Sequence, residues 1–469
     1  MNDTILVLSY SERTSLELAK RIRGEQVFSL ILPGSTTAAQ IRDLQPKGII
    51  LSGEEAGSGV LDAEILELGV PVLAVGHTAH MMLMTLGGAC AGTGIFHRKV
   101  DVHFEESGLF TGAEDGERYI REAQTLMLPA NLRMTASGGG CTIAFEDAER
   151  RLYGIQFEME RHDLTASAVL SNFLFSICGC EPWFTVEAAL EQAEEELSEA
   201  AKDGKSAVCA VSGGLDSTVA AVLAQRVFGD RMKAVFVETG MMRASEAEIV
   251  GEIFETLNIP LEILDAREQM AKALTGVRTT AEKQQIAMDV LMETLVSSRD
   301  DACVILGTDY GDSLFLARTA KEGDGELLRP LSAYFREDIV LMAEMIGLND
   351  GLRNRKPFPP LGLGACIMGE IREEKLAILR SVDMIFREEL RAAGLMPKLY
   401  DHYALLSESG AFGGGRQLLL CAHTLSGGQL MPARLPYDAV ERTVSRIMED
   451  HPSVTRVLLD ETPAVRSPL

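Results

Sequence analysis

Short apolar runs alternate with longer polar segments through the first part of the chain. Residues 4–9 (TILVLS), 26–32 (QVFSLIL), 48–52 (GIILS) and 71–75 (PVLAV) are each separated by a stretch long enough for a helix or a crossover. This is the patterning of an α/β fold, because strands covered on both faces read as continuous apolar runs. A further strand is expected over 151–157 (RLYGIQF), and a helix over 164–175 closes the first domain near Cys178.

Residues 185–203 (TVEAALEQAEEELSEAAKD) place apolar side chains at helical spacing opposite a strongly acidic face. The alternation then starts again, with strands predicted at 206–211, 234–237, 261–264 and 303–306 and helices over 217–228 and 249–257. That succession predicts a second doubly wound parallel sheet. The glycine- and charge-rich stretch 321–325 precedes a third region, with helices around 337–346 and 372–393 and strands at 417–421 and 456–459. The predicted architecture is two doubly wound α/β domains followed by a small α+β domain, divided as 1–178, 179–330 and 331–469.

With 469 residues, 46% of them hydrophobic, the chain exceeds what one core can hold. The formal net charge of −25 argues against nonspecific binding to nucleic acid or membrane surfaces, which are themselves anionic, so an anionic ligand needs a local site. The opening MNDTILVLSY shows no basic leader, and no apolar run approaches the roughly 20 residues that span a bilayer; a cytoplasmic address is expected. The eight cysteines lie scattered in apolar surroundings, which suits buried free thiols. Cys178 and Cys180 form the only close pair, and with no second pair to complete a metal site they are read as structural.

The candidate chemistry sits where the strand at 206–211 meets the helix at 217–228. The loop Ser212-Gly213-Gly214-Leu215-Asp216-Ser217-Thr218 has the makings of an anion site. Glycines let backbone N–H groups approach oxygens, hydroxyls add donors, and a helix N-terminus contributes partial positive charge. Pyrophosphate is the natural ligand. Asp216 would repel phosphate unless a divalent cation lay between them, so it is read as a Mg²⁺ ligand. The Gly-x4-Gly-Lys spacing of a Walker loop is absent, which disfavours kinase or GTPase chemistry.

Beyond this loop, FLFSICGC (173–180), AVSGGLDSTVAAVLA, VFVETGMMR (235–243), GTDYGD (307–312), KPFPPLGLG (356–364), GEIREEKLAILR (369–380) and ARLPYD (433–438) resemble glutamine-hydrolysing GMP synthetases in order and spacing. The resemblance covers nearly the whole chain. It implies a class I glutamine amidotransferase module, an ATP pyrophosphatase module and a carboxy-terminal module that dimerises and completes a nucleotide site. In that family ATP adenylates the 2-oxygen of xanthosine monophosphate, and ammonia displaces AMP. Carried onto this sequence, ATP and pyrophosphate would meet Ser212, Gly213, Gly214, Leu215, Asp216, Ser217, Thr218, Val237 and Gly307, with Asp216 catalytic. The nucleotide substrate would meet Asp312, Gly364 and Arg416, the last either pairing with phosphate bidentately or standing in a solvated turn.

The chain departs from the family at several positions. The elbow that should present a cysteine nucleophile reads Pro71-Val-Leu-Ala-Val-Gly76-His77, so Gly76 stands where the thiol belongs. The catalytic histidine position is Glu158, and only the orienting acid, Glu160, is kept. Gly53-Glu54-Glu55 replaces the stretch that shapes the oxyanion hole, setting carboxylates beside a developing oxyanion. His77 and His80 are read as hydrogen-bonded remnants in preference to metal ligands.

In the synthetase half, a Lys- and His-rich lid is replaced by ARTAKEGDGE, an arginine by Cys366, and the family's Lys-Pro-Pro and terminal Glu-Trp-Glu by TPAVRSPL. These losses put xanthosine monophosphate in doubt, with Arg318, Lys321 and Arg329 the nearest cations in sequence that could compensate. The reading is an ATP·Mg²⁺-dependent, homodimeric ligase that adenylates a purine-nucleotide-like substrate for attack by free ammonia. The alternatives are sulfur transfer through a persulfide on a cysteine such as Cys366, and a noncatalytic nucleotide-binding homologue.

Overall fold

In the computed structural model, the described residues are 3–53, 60–159, 164–202, 204–298, 302–311, 327–355, 361–408, 415–426 and 429–463. The chain divides into two compact units, Met1–Ala188 and Ala189–Leu469.

The first unit is built on a nine-stranded sheet. Strands β1 (Thr4–Ser9), β2 (Phe28–Pro33), β3 (Gly48–Gly53) and β4 (Val72–Gly76) run parallel in the order β2-β1-β3-β4. Their interiors are fully buried from Ile5 to Leu8, Ile49 to Leu51 and Val72 to Ala74, as the apolar runs required. Helices α1 (Glu12–Gly24), α2 (Ala38–Leu44) and α3 (His77–Thr85) follow the first, second and fourth of these strands.

In the second half of this sheet the pattern marked only the strand expected over 151–157, which forms as Leu152–Ile155. Strands β5 (Ala89–Phe104), β6 (Gly116–Met127), β7 (Arg133–Gly138), β8 (Cys141–Asp147) and β9 (Leu152–Ile155) extend it through antiparallel pairings, with β9 joining β4 in parallel. β6 is an edge strand with few buried side chains, so it carries no apolar run to read. The expected helix over 164–175 is α4 (Leu164–Ser171), which continues as a π-helical turn, Asn172–Ile177.

Helix α5 (Val186–Ala201) buries Ala189, Ala193, Leu197 and Ala200 and exposes its acidic face. The second unit then lays down β10 (Ala207–Ala210), α6 (Leu215–Phe228), β11 (Met232–Glu238), α7 (Glu246–Thr256) and β12 (Leu261–Asp265). Helices α8 (Arg267–Ala273) and α9 (Thr280–Ser297) lead to β13 (Cys303–Leu306) and the short β14 (Leu327–Leu328). The sheet is wholly parallel, in the order β12-β11-β10-β13-β14. The chain leaves β10 toward β11 and later returns to its other side with β13. That reversal makes the carboxyl end of β10 a topological switch point, where open α/β sheets bind ligands.

After α10 (Arg336–Met345), a smaller sheet of β15 (Asp401–Ser407), β16 (Arg416–Ser426), β17 (Gln429–Pro432) and β18 (Val454–Leu459) packs with α11 (Glu373–Ala392) and α12 (Tyr437–Asp450). The division expected at 330/331 falls inside the second unit, because one apolar core runs from Val208, Val235 and Val237 through Leu361–Ile367 to Val382, Tyr403 and Leu418. Polar ties cross the same junction. Arg243 grips Asp383 through three N–O contacts of 2.9–3.1 Å, and Lys283 Nζ donates to the Ile367 carbonyl at 2.6 Å.

All eight cysteines are free thiols and seven are buried. Among the described residues no helix is long and apolar enough to cross a membrane.

Lys283 is completely buried, and burial, reinforced by the nearby Lys375, pulls its ammonium down to about 8. Between that value and the ordinary lysine value the unfolded chain holds a proton that the folded chain lacks, so the burial penalty is relieved as pH rises through this window. The stability of the native protein relative to Lys283→Met is expected to rise by about 1–2 kcal/mol from pH 7.5 to 9.5. Urea unfolding of both proteins at the two pH values measures it, and a constant difference would contradict the assignment.

Candidate functional site

Four residues, 211–214, connect β10 to α6 at the switch point. Gly213 adopts φ +71°, and a Cβ there would lie 2.6 Å from Val250 Cγ2, so both backbone and space require glycine. The loop is laced internally: Ser217 Oγ accepts from the Ser212 N–H at 3.1 Å and donates to the Gly214 carbonyl at 3.1 Å, while Thr218 Oγ1 donates to the same carbonyl at 2.7 Å. These two hydroxyls therefore shape the loop, and their protons are already committed. The donors left for an anion are the first-turn amides of α6, which have no acceptor within the helix.

Gly307 follows β13 and lies against this turn. A Cβ on it would sit 2.4 Å from Ser217 Cα and 2.5 Å from the Asp216 carbonyl oxygen, so the close approach of strand end and helix start depends on its lacking a side chain. Val237, on the other flank, extends β11 two residues beyond Val235, the last partner of β10. Leu215 and Val237 are both buried and brace the loop from within.

Asp216 stands in the first turn of α6 with its side chain 14% exposed. Burial pushes its carboxyl up to about 6; Arg336 opposes that shift, and Asp309 adds to it. Arg336 Nη1 lies 2.7 Å from Asp216 Oδ2, and its Nη2 donates to the Arg355 carbonyl at 3.1 Å. The Arg355 guanidinium pairs with Glu246, and its Nη1 comes within 3.3 Å of the Cβ position of Gly213. Asp216 Oδ1 is buried and has no hydrogen-bond partner among the described residues.

A buried, orphaned carboxylate oxygen beside a phosphate-type loop, with a second carboxylate at Asp309, fits a hard divalent cation. Arg336 and Arg355 escaped the sequence reading. The available signal was Arg336 itself, a cation in the first turn of a helix where the macrodipole disfavours one.

In the first unit, β4 ends in an elbow at Gly76, with φ +65° and ψ −128°, directly before α3. Thr78 Oγ1 pins the elbow by donating toward the Leu51 and Val75 carbonyls, each at 2.8 Å, and by accepting from the Val75 N–H at 3.0 Å. A sharp strand–helix turn thus stands where the sequence leads one to expect a nucleophile, and Gly76 puts no side chain on it. Glu158 is ion-paired with Arg121 at 2.9 Å. His80 is 1% exposed and bonded through Nε2 to the Gln156 amide oxygen at 2.5 Å. The Gln156 amide nitrogen donates to the Gln124 and Thr142 carbonyls, which orients its oxygen toward His80 as an acceptor. Burial lowers the His80 pKa, against the Gln156 hydrogen bond, which raises it. Among the described residues no group of three His, Cys, Asp or Glu side chains is placed to hold a metal.

Residues 206–317, which contain the loop, match the protein-family model described as Queuosine biosynthesis protein QueC. A glutamine-hydrolysing GMP synthase of Caldanaerobacter subterraneus subsp. tengcongensis is 32% identical over 98% of this chain and 97% of its own. That of Thermomicrobium roseum is 33% identical over 98% and 95%, and that of Geobacillus kaustophilus 31% identical over 98% of each. The chain belongs to the GMP synthase family. The kinship and the QueC-like segment together support an ATP-dependent ligase of the GMP synthase family.

Within this GMP synthase relative, the expected substrate residues have the following surroundings. Gly364 is buried in the single turn Gly362–Cys366. That turn is stitched to the segment after β11, where the Leu363 N–H donates to the Met241 carbonyl at 2.7 Å. Arg416 is held by Glu374 at 2.6 Å, by Glu408 at 3.2 Å and by Ser453 Oγ at 3.2 Å, so carboxylates occupy its guanidinium in this structure. Cys366 is fully buried, and burial pushes its thiol up to about 12. Glu54, Glu55, Glu160, Asp312, Arg318 and Lys321 lie outside the described residues.

Gly307→Ala drives a methyl group into the backbone of α6. It is expected to cost about 2–3 kcal/mol of stability and to weaken ATP binding at least roughly tenfold, since the loop must move to relieve the overlap. Urea unfolding and calorimetric titration report the two effects; wild-type ATP affinity in the variant would show that the contact does not set the loop.

Proposed function

We propose that this chain uses ATP·Mg²⁺ to adenylate an oxygen of a purine-nucleotide-like acceptor, that free ammonia then displaces AMP, and that the amino-terminal module does not hydrolyse glutamine. The observation that carries the reading is the loop at the β10 switch point, with the orphaned Oδ1 of Asp216 buried beside it. The relatives are glutamine-hydrolysing GMP synthases, and that supplies the substrate class.

The first-turn amides of α6 receive the departing phosphates, Gly307 keeps the helix start against β13, and Asp216 with the neighbouring Asp309 would hold Mg²⁺. When bound, the cation neutralises charge building on the leaving pyrophosphate. The acceptor oxygen forms a bond to the α-phosphorus as the bond to pyrophosphate breaks. Ammonia nitrogen then bonds to the activated carbon, the carbon–oxygen bond breaks with AMP as leaving group, and the nitrogen releases a proton to solvent. Adenylation serves because it turns an oxide, a poor leaving group, into a phosphate monoester.

The absence of a thiol on Gly76 supports the loss of glutaminase chemistry, since acyl transfer from glutamine needs a nucleophile at the elbow. Sulfur transfer through Cys366 is disfavoured by its burial and raised pKa, because the thiolate is the reacting form.

The deciding assay measures AMP and pyrophosphate formed from ATP across purine nucleotides, with ammonium at alkaline pH or with glutamine. Acceptor-dependent turnover is expected with ammonium and none above a mock preparation with glutamine, while Asp216→Asn lowers the ammonium rate by at least about a hundredfold. Glutamate release by the wild type would refute the amino-terminal half of the reading. Failure of every nucleotide to elicit AMP would refute the rest.

A further inference from the structure

The guanidinium of Arg336 occupies the carboxylate that the loop needs for a cation. It reaches Asp216 from α10, 120 residues away in the chain, with Nη1 at 2.7 Å from Oδ2, and is steadied by its second contact to the Arg355 carbonyl at 3.1 Å. Its position in the first turn of α10 is electrostatically unfavourable for an arginine, so the carboxylate partner is what holds the charge there. Asp216 in turn has little water around it and has Asp309 for a neighbour, and needs a positive partner whenever it is ionised. A guanidinium and a divalent cation satisfy that need in competition, because each neutralises the same oxygens.

We propose that Arg336 is the resident counter-ion of Asp216, which yields the carboxylate to the metal when the metal arrives with a nucleotide and then pairs with phosphate oxygens. Arg336 is thus a positioning residue that holds the site against bare metal and favours the metal–nucleotide complex. Arg355, paired with Glu246 over Gly213, supplies a second cation at the loop but does not touch Asp216 through its side chain. The inference rests on the reading that the 212–218 loop takes ATP with a divalent cation.

This exchange predicts opposite signs for two affinities, which a merely structural role would not produce. Removing the guanidinium in Arg336→Gln frees Asp216 for metal alone and removes a charge-assisted bond to phosphate. Binding of Mn²⁺ without nucleotide, followed by the paramagnetic signal of the free ion, is expected to tighten about 5–10-fold. Binding of a non-hydrolysable ATP analogue at saturating Mn²⁺ is expected to weaken about tenfold. Arg336→Lys keeps the charge but loses the second contact, and shifts both constants in the same directions by about 2–3-fold; it also serves if the glutamine variant does not fold.

Mn²⁺ affinity that falls or stays level in both folded Arg336 variants would overturn the proposal, as would analogue affinity that is unaffected in them. Wild-type protein that binds no analogue would instead sink the ATP reading, and the metal-only arm would then decide Arg336 by itself.

Discussion

A negative charge is kept at the N-terminus of α6 with little water around it, and much of the second unit serves to make that tolerable. Asp216 is drawn inward by the tight seating of its helix turn on Gly307 and is answered by Arg336 from a distant helix. An ion pair of this kind contributes little net stability, since desolvation offsets the attraction, but breaking it leaves an uncompensated buried charge. The pair therefore constrains which groups can replace Arg336: only another cation, or a cation carried in with an anion.

The same constraint explains why the second unit is one body. Arg336 and Arg355 belong to the stretch expected to form a separate domain, yet Arg336 pairs with Asp216 in the first turn of α6 and Arg355 lies against Gly213 in the loop before it. The continuous apolar core from Val208 to Val454, the Arg243–Asp383 contact and the Lys283 tie to the Ile367 carbonyl hold that stretch in register with the sheet. A site completed by two segments so far apart in sequence needs such a core, because sub-ångström placement of charged groups cannot be maintained across a mobile junction.

The first unit builds a sharp strand–helix turn with glycine at its tip. The elbow at Gly76 keeps its backbone geometry because the sheet register, with Gly53 opposite Gly76, and the Thr78 hydrogen bonds build it independently of any side chain at the tip. Packing and hydrogen bonding can set a turn whatever side chain stands at its tip. Glu158 and His80 fit the same picture, each engaged with its own neighbour, Arg121 and Gln156.

Local information was enough for much of this. The buried parallel strands, the 212–218 loop, the kinship with GMP synthases and the missing thiol at Gly76 are all legible in the residues, because a strand buried on both faces must be apolar and a phosphate loop must be glycine-rich whatever surrounds it. Three things were decided only by tertiary structure. The antiparallel strands from Ala89 to Asp147 include half-exposed edges whose pairing leaves no apolar run. The roles of Ser217 and Thr218 as loop braces depend on where the Gly214 carbonyl points. The cation paired with Asp216 comes from Arg336, far away in sequence, because charge neutralisation acts through space and a buried carboxylate takes the partner that the folded core brings within 3 Å.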